Sequence, residues 1–209
     1  MSGAINQKIT VRTTTVKDSV CKVGVQPVTF AMLWENYVTG KPYDDPSGTH
    51  ENQCAIRISA TFHRVGIEMK SFSQNLVKPA PGKSSLGRIL LNGKPTSTRA
   101  KELATWLELH PFCGLPTKSE DITGQDWESK VKGRTGIICF DGYWTQGGET
   151  ASNASGGHID LWNGSRLTNN GTLGTIETFM RFNLGINDPW LPIYSDLRNS
   201  KNIRFWEMK

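Results

Sequence analysis

Residues 157–169 read Gly-His-Ile-Asp-Leu-Trp-Asn-Gly-Ser-Arg-Leu-Thr-Asn, an Asn-Gly pair flanked by two stretches of alternating polar and apolar residues. Asn-Gly is favoured in two-residue type I′ hairpin turns, because both turn positions adopt a positive φ. With the turn at 163–164, the pairing of the strands puts His158 directly opposite Asn169. Side chains alternate along a strand, so His158, Asp160 and Asn169 share one face. The segment therefore predicts two antiparallel strands with polar groups gathered on one side.

Helical periodicity dominates the first half of the chain. The predicted helices cover Phe30–Tyr37, Cys54–Val65, Ala100–His110 and Asp126–Val131. Ser97 or Thr98 is the predicted N-cap of the third helix, since a side-chain oxygen at that position can accept a hydrogen bond from a free N–H group. Residues 69–96 contain three prolines and are predicted to be irregular.

Strand patterns dominate the second half of the chain. The predicted strands cover Gly136–Phe140, His158–Trp162, Arg166–Leu173 and Ile203–Met208. Helices followed by strands, rather than helices alternating with strands, are typical of α+β domains with antiparallel sheets. We therefore predict an α+β fold in which N-terminal helices pack on an antiparallel β-sheet.

The composition is that of a folded chain. Of its 209 residues, 36% are hydrophobic and 21% are charged, which excludes a disordered protein. No run approaches the roughly 18 apolar residues of a membrane helix, and the polar N-terminal segment lacks the apolar centre of a secretory signal peptide. The net charge of +5 favours anionic polymers, but the basic residues are scattered and no nucleic-acid motif is present. We expect neither a membrane nor a nucleic acid as a partner.

The four cysteines do not have the spacing of a metal site. There is no Cys-x-x-Cys pair and no zinc spacing with the four histidines, so no metal or other cofactor is expected. Cys139 lies in an apolar run and is predicted to be a buried, unreactive thiol. Cys21 and Cys113 occur in loop-like sequence, which is compatible with free thiols and with a disulfide.

Cys54 differs from the other cysteines because it begins a predicted helix. Unpaired N–H groups and the positive end of the helix dipole favour a thiolate there and lower the thiol pKa. The same N–H groups suit an oxyanion. A histidine oriented by an amide on the adjacent strand, as predicted for His158 and Asn169, completes a cysteine hydrolase site. A structural role is the alternative for both Cys54 and His158, since small thiols and strand histidines commonly fill cores.

Two blocks of the sequence, Asn52–Ser59 and Gly156–Gly164, resemble the signature blocks of the family-four amidase effectors of type VI secretion. That family is a branch of the papain-like, NlpC-type cell-wall peptidases. The resemblance extends from about residue 27 to residue 208. It implies a papain-like cysteine amidase domain over 27–209, preceded by an N-terminal extension over 1–26.

The resemblance also implies an activity and its partners. Members of the family are injected into rival bacteria, where they hydrolyse the peptide stem of peptidoglycan between γ-D-glutamate and meso-diaminopimelate. Cys54 would attack that carbonyl as a thiolate, and His158 would act first as a base and then as an acid. The implied partners are the peptidoglycan peptide, a secretion apparatus and a cognate immunity protein that blocks the cleft. The implied site of action is the periplasm of the target cell, reached without a signal peptide.

The third catalytic residue has two candidates. The family commonly has an Asp eleven residues after the His, and this chain has Asn169 there, the residue that the hairpin register also selects. Asp160 is the alternative, but it is offset from His158 by nearly 7 Å along the strand, which favours Asn169. The paired cysteines that the family has after the His strand have no match in this chain.

Two other functions remain as alternatives. One is a protein of the same fold that binds the cell wall without catalysis. The other is an NlpC-type hydrolase of the cell's own wall, which the expected lack of a signal peptide disfavours.

Overall fold

Four helices and two antiparallel sheets make up the part of the chain that the computed structural model describes, residues 26–144, 156–168 and 197–209. The helices are α1 (Phe30–Glu35), α2 (Cys54–Arg64), α3 (Ala100–Leu107) and α4 (Trp127–Val131). The strands are β1 (Arg88–Leu91), β2 (Lys94–Ser97), β3 (Glu120–Asp121), β4 (Gly136–Trp144), β5 (Gly156–Trp162) and β6 (Asn202–Glu207). The predicted α+β class, with helices packed on an antiparallel sheet, is confirmed. None of the described helices is long and apolar enough to cross a membrane.

The larger sheet has the strand order β3-β6-β4-β5, and every neighbouring pair is antiparallel. Strand β4 lies inside it and is buried on both faces, which explains its unbroken apolar run. Ile137 and Cys139 enter the core that α2 and α3 cover, whereas Ile138 and Phe140 enter a second core beneath α4. Strand β5 forms one edge of the sheet, next to the helix that carries Cys54.

Helix α2 is the centre of the main core. Every residue from Cys54 to Phe62 is buried, because β5 lies on one side of the helix and β2 on another. The polar members of the helix are paired: Thr61 Oγ1 accepts from Val38 N at 3.0 Å, and Ser59 Oγ accepts from Ser97 N at 3.2 Å. These bonds fix the helix relative to its neighbours, and they thereby fix the position of its first residue.

The ends of the predicted helices need three corrections. The first helix ends at Glu35, two residues before the predicted end, and α3 ends at Leu107, three residues before the predicted end. The N-cap of α3 is Arg99, and not Ser97 or Thr98, because Ser97 still belongs to β2 and Arg99 is the last extended residue. Ser97 nonetheless contributes, since its Oγ accepts from Arg99 N at 3.4 Å and donates to Arg99 O at 3.0 Å.

The two Asn-Gly pairs that lie in the described ranges behave oppositely. Asn92 and Gly93, with φ of 51° and 76°, form the two-residue turn of the β1–β2 hairpin, inside the stretch predicted to be irregular. At 163–164 the predicted two-residue turn is wrong: Trp162 bridges Leu167, so the loop has four residues. Asn163 explains the difference, because its side-chain oxygen accepts from the backbone N–H groups of residues 165 and 166 and closes a wider turn. Most of the predicted strand Arg166–Leu173 lies outside the described residues.

The cysteines divide into two classes. Cys113 is disulfide-bonded, whereas Cys54 and Cys139 are free and buried. The predicted burial of Cys139 is confirmed. Cys21 lies outside the described residues.

Glu102 of α3 provides a test of the fold. Its buried carboxylate accepts from Ala80 N at 2.8 Å, from Gly87 N at 2.6 Å and from Arg99 Nη1 at 2.7 Å. We expect Glu102→Gln to lower the free energy of unfolding by roughly 1–3 kcal/mol, because the new NH₂ group would face one of these N–H donors and leave it without an acceptor. Urea unfolding measures the change, with Glu35→Gln on the exposed side of α1 as the control. Equal stability of the two variants would contradict this account.

Candidate active site

Cys54 is the first residue of α2 and is held there by the segment that precedes it. Asn52 Oδ1 accepts from Cys54 N at 3.2 Å. The Gln53 side chain makes two bonds with the backbone of Tyr43, accepting at 3.1 Å and donating at 2.8 Å. The thiol is 4% exposed. The predicted placement of Cys54 at a helix N-terminus is confirmed, although the residue is more deeply buried than a surface nucleophile.

His158 comes from the middle of β5, opposite Phe140 of β4, whose ring stacks on the imidazole. Its side chain is fully buried. Nε2 lies 3.4 Å from Asp160 Oδ2. Nδ1 makes no hydrogen bond of normal geometry with the described residues, so it is the nitrogen left for the thiol.

The pKa values of Cys54 and His158 show that the two groups act on each other. Burial raises the pKa of the Cys54 thiol, but His158, Arg57 and the N–H of Ile159 lower it by more, so it lies below its ordinary value. Burial lowers the pKa of His158, but Asp160 and Cys54 raise it by more, to about 9. These opposite shifts are those of a thiolate–imidazolium pair.

Asp160 is the carboxylate that lies beside His158 among the described residues. Its Oδ1 accepts from Leu161 N at 2.8 Å and from the Thr168 hydroxyl, which leaves Oδ2 toward His158. The offset of nearly 7 Å along the strand that the sequence predicts therefore does not keep Asp160 from His158. The offset separates the backbone positions of the two residues, and the two side chains close the gap between their polar ends.

Asn169 lies outside the described residues. The hairpin register that put it opposite His158 is wrong, since the turn is two residues longer than predicted. In the observed arrangement Thr168 is the residue of this segment that contacts Asp160.

Three residues near the pair were missed by the sequence analysis: Tyr37, Arg57 and Thr168. Tyr37 is predicted from the sequence only as the last residue of the first helix. Arg57 carried a signal, because it is a cation three residues after the candidate nucleophile in a helix segment that is otherwise apolar or small. Thr168 carried none, since its contact depends on the length of the turn.

Cys139 shows what burial alone does to a thiol in this core. Burial raises the pKa of Cys139 to about 12, although Arg204 lies near enough to oppose the shift. This agrees with the prediction that Cys139 is unreactive. Cys54 is equally buried, so its lowered pKa must come from its neighbours and not from its depth. No group of three or more His, Cys, Asp or Glu that could hold a metal occurs in the described ranges.

Comparisons with known proteins identify relatives of this site and fold. The family model described as type VI secretion system (T6SS), amidase effector protein 4 matches residues 50–206, which include Cys54 and His158. No curated protein matches the chain.

Among solved structures, the type VI effector Tae4 from Enterobacter cloacae is similar, with 21% identity and a TM-score of 0.50 over 88% of this chain and 98% of that chain. The Tae4–Tai4 effector–immunity complex from the same organism has 20% identity and a TM-score of 0.49, covering 88% of this chain and 100% of that one. The Tae4–Tai4 complex from Salmonella Typhimurium has 22% identity and a TM-score of 0.44, covering 69% and 88%. The first of these likenesses agrees with the fold class inferred above.

The lowered thiol pKa predicts selective alkylation. We expect iodoacetamide to label Cys54 at pH 6, where an ordinary thiol is protonated, while Cys139 stays unlabelled in the folded protein. Peptide mass spectrometry over a pH series measures both rates in one sample. The thiolate of Cys54 is expected to disappear only as the pH falls through its lowered pKa. Labelling of Cys54 that begins only above pH 8 would contradict the ion pair.

Proposed function

The chain belongs to the family of type VI secretion system amidase effectors 4, and on that premise we propose that it hydrolyses the peptide stem of peptidoglycan with Cys54 as the nucleophile. The observation that carries the proposal is the buried pair formed by Cys54 and His158, whose pKa values are shifted in opposite directions. A protein that only bound the cell wall would have no use for an activated thiol.

The proposed reaction has two steps. The Cys54 thiolate attacks the amide carbonyl, and the imidazolium of His158 gives its proton to the departing amine, which leaves an acyl-enzyme thioester. Neutral His158 then takes a proton from water, the hydroxide attacks the thioester, and the carboxylic acid product leaves as Cys54 departs as a thiolate. The oxyanion of each tetrahedral intermediate would be stabilised by N–H groups of the first turn of α2.

The proposed third residue is Asp160. Its buried carboxylate, held by Leu161 N and by Thr168, favours the protonated form of His158 and fixes the ring with Nδ1 toward the thiol. Asn169, the residue first favoured, is retained as a candidate for the same role. An amide there would orient the ring without adding negative charge.

The proposed bond, partners and location follow from family membership. The bond is the one between γ-D-glutamate and meso-diaminopimelate, and the proposed place of action is the periplasm of a target bacterium. The Enterobacter and Salmonella effectors are each described in complex with an immunity protein, and we propose a cognate immunity protein for this chain. We also propose residues 27–209 as the amidase domain and 1–26 as an extension of it.

Purified peptidoglycan provides the direct test. Wild-type protein is expected to release peptide fragments that mass spectrometry identifies by their new termini, whereas Cys54→Ala releases none because it lacks the nucleophile. Cys139→Ala is the matched control, since it removes a buried thiol that takes no part in the reaction. Fragment release by Cys54→Ala would overturn the proposed mechanism. Wall binding by the wild type without any release would favour the non-catalytic alternative.

A second test separates Asp160 from Asn169. Asp160→Asn is expected to lower kcat by roughly 10²- to 10⁴-fold. It should also move the alkaline limit of activity below pH 9, because the carboxylate that raises the pKa of His158 is gone. Rates between pH 5 and 10 measure both effects. If Asn169→Ala produces the larger loss, and Asp160→Asn leaves the alkaline limit unmoved, Asp160 is not the orienting residue.

A further inference from the structure

Arg57 is a buried positive charge close to the nucleophile. It lies on α2 three residues after Cys54, and its side chain is 5% exposed. Residues three apart on a helix are neighbours on its surface. Arginine is almost never buried unless an anion or several acceptors compensate its charge.

The contacts of Arg57 leave its charge without a carboxylate partner. Nη1 donates to Gly40 O at 3.0 Å. Nε is buried and makes no hydrogen bond within the described part of the chain. No described carboxylate lies within ion-pair distance of the guanidinium, and Asp160 is engaged with His158, Leu161 and Thr168. A carbonyl and a tyrosine are weak compensation for a buried cation, so an anion near Arg57 would be strongly favoured.

Tyr37 connects Arg57 to the orienting carboxylate. Burial and the charge of Asp160 raise the pKa of Tyr37, while Arg57 and Thr168 oppose that shift through hydrogen bonding to the phenol. The phenol therefore lies between the guanidinium and the Thr168–Asp160 pair. Tyr37 and the Gly40 carbonyl come from the segment after α1, so this segment holds the Arg57 side chain in place.

We propose that Arg57 is a positioning residue whose buried charge, together with His158, stabilises the thiolate of Cys54. This inference rests on the proposed role of Cys54 as the nucleophile. His158 gains and loses its proton during the cycle, so the charge that it offers the sulfur changes from step to step. A guanidinium keeps its positive charge over the working pH range of an enzyme. Arg57 therefore adds a constant positive charge to that of His158 whenever the sulfur is a thiolate.

The other charged and titratable groups around Cys54 do not supply that charge. From β5 they are His158, which titrates, and Asp160, which is acidic; from β4 the neighbour is the thiol of Cys139. Tyr37 acts on Arg57 and Asp160. Arg57 is thus the permanent cation among the groups that influence the sulfur.

The test is the pH dependence of Cys54 alkylation in three variants. Arg57→Gln removes the charge and keeps an N–H donor for the Gly40 carbonyl. Arg57→Met removes both, and Arg57→Lys retains a cation. We expect Gln and Met to raise the midpoint of alkylation by roughly one pH unit, which is about tenfold slower labelling on the acid side. Arg57→Lys should keep the midpoint of alkylation close to that of the wild type. A residue with a purely structural role would lower the melting temperature of all three variants and leave the midpoint unmoved, and that result overturns the proposal.

A second variant covers the case in which the neutral substitutions do not fold. His158→Ala retains Arg57 and removes the titrating partner. Its Cys54 midpoint is expected to rise, because burial is the largest influence on the thiol pKa and His158 no longer opposes it, but Arg57 should keep the midpoint below that of the equally buried Cys139. A Cys54 midpoint equal to or above that of Cys139 overturns the proposal.

The two proposals fail in different ways. Fragment release by Cys54→Ala overturns the proposed function, whereas an unmoved alkylation midpoint in Arg57→Gln overturns only the role of Arg57. In the wild-type background, Arg57→Gln should also lower kcat more than it raises KM, because the group acts on the sulfur and not on the bound peptide.

Discussion

The contact between the buried side chains of Cys54 and His158 is the interaction on which the rest of the site depends. Both side chains are buried, and moving charges out of water costs several kcal/mol for each ion unless other groups compensate. The neighbourhood provides that compensation: Asp160 acts on the imidazole, and Arg57 and the N–H of Ile159 act on the sulfur. Cys139 is equally buried and has Arg204 near it but no histidine acting on it, and its thiol pKa is raised to about 12.

The architecture keeps these groups on rigid elements. Cys54 begins the most buried helix of the described chain, and His158 and Asp160 lie on a strand hydrogen-bonded to the centre of the sheet. Catalytic geometry held by helices and strands is more precise than geometry held by loops. Thr168, from the segment after the four-residue turn, adds a hydrogen bond to Asp160. The length of that turn therefore determines which residue forms a hydrogen bond with Asp160.

Elements set by local pattern were predictable. The periodicity of apolar residues placed α2 to within one residue and α3 with an end three residues too late, and the apolar run at 136–140 identified the central strand. Turns were not predictable from the Asn-Gly pair alone. The same pair makes a tight hairpin at 92–93, whereas at 163–164 the side chain of the asparagine accepts backbone hydrogen bonds and widens the loop. Both outcomes satisfy the local chemistry, and the surrounding chain selects between them.

By itself the sequence determined the α+β class, the helix that begins at Cys54 and the strand that carries His158, because these follow from residue periodicity and short motifs. Only the tertiary structure decided that Asp160 faces the imidazole, that Thr168 supports it, and that Arg57 and Tyr37 lie beside the pair. The physical reason is that burial and charge act through space. The pKa of a thiol depends on which groups the fold brings within a few ångströms of the sulfur, and sequence separation does not measure that distance.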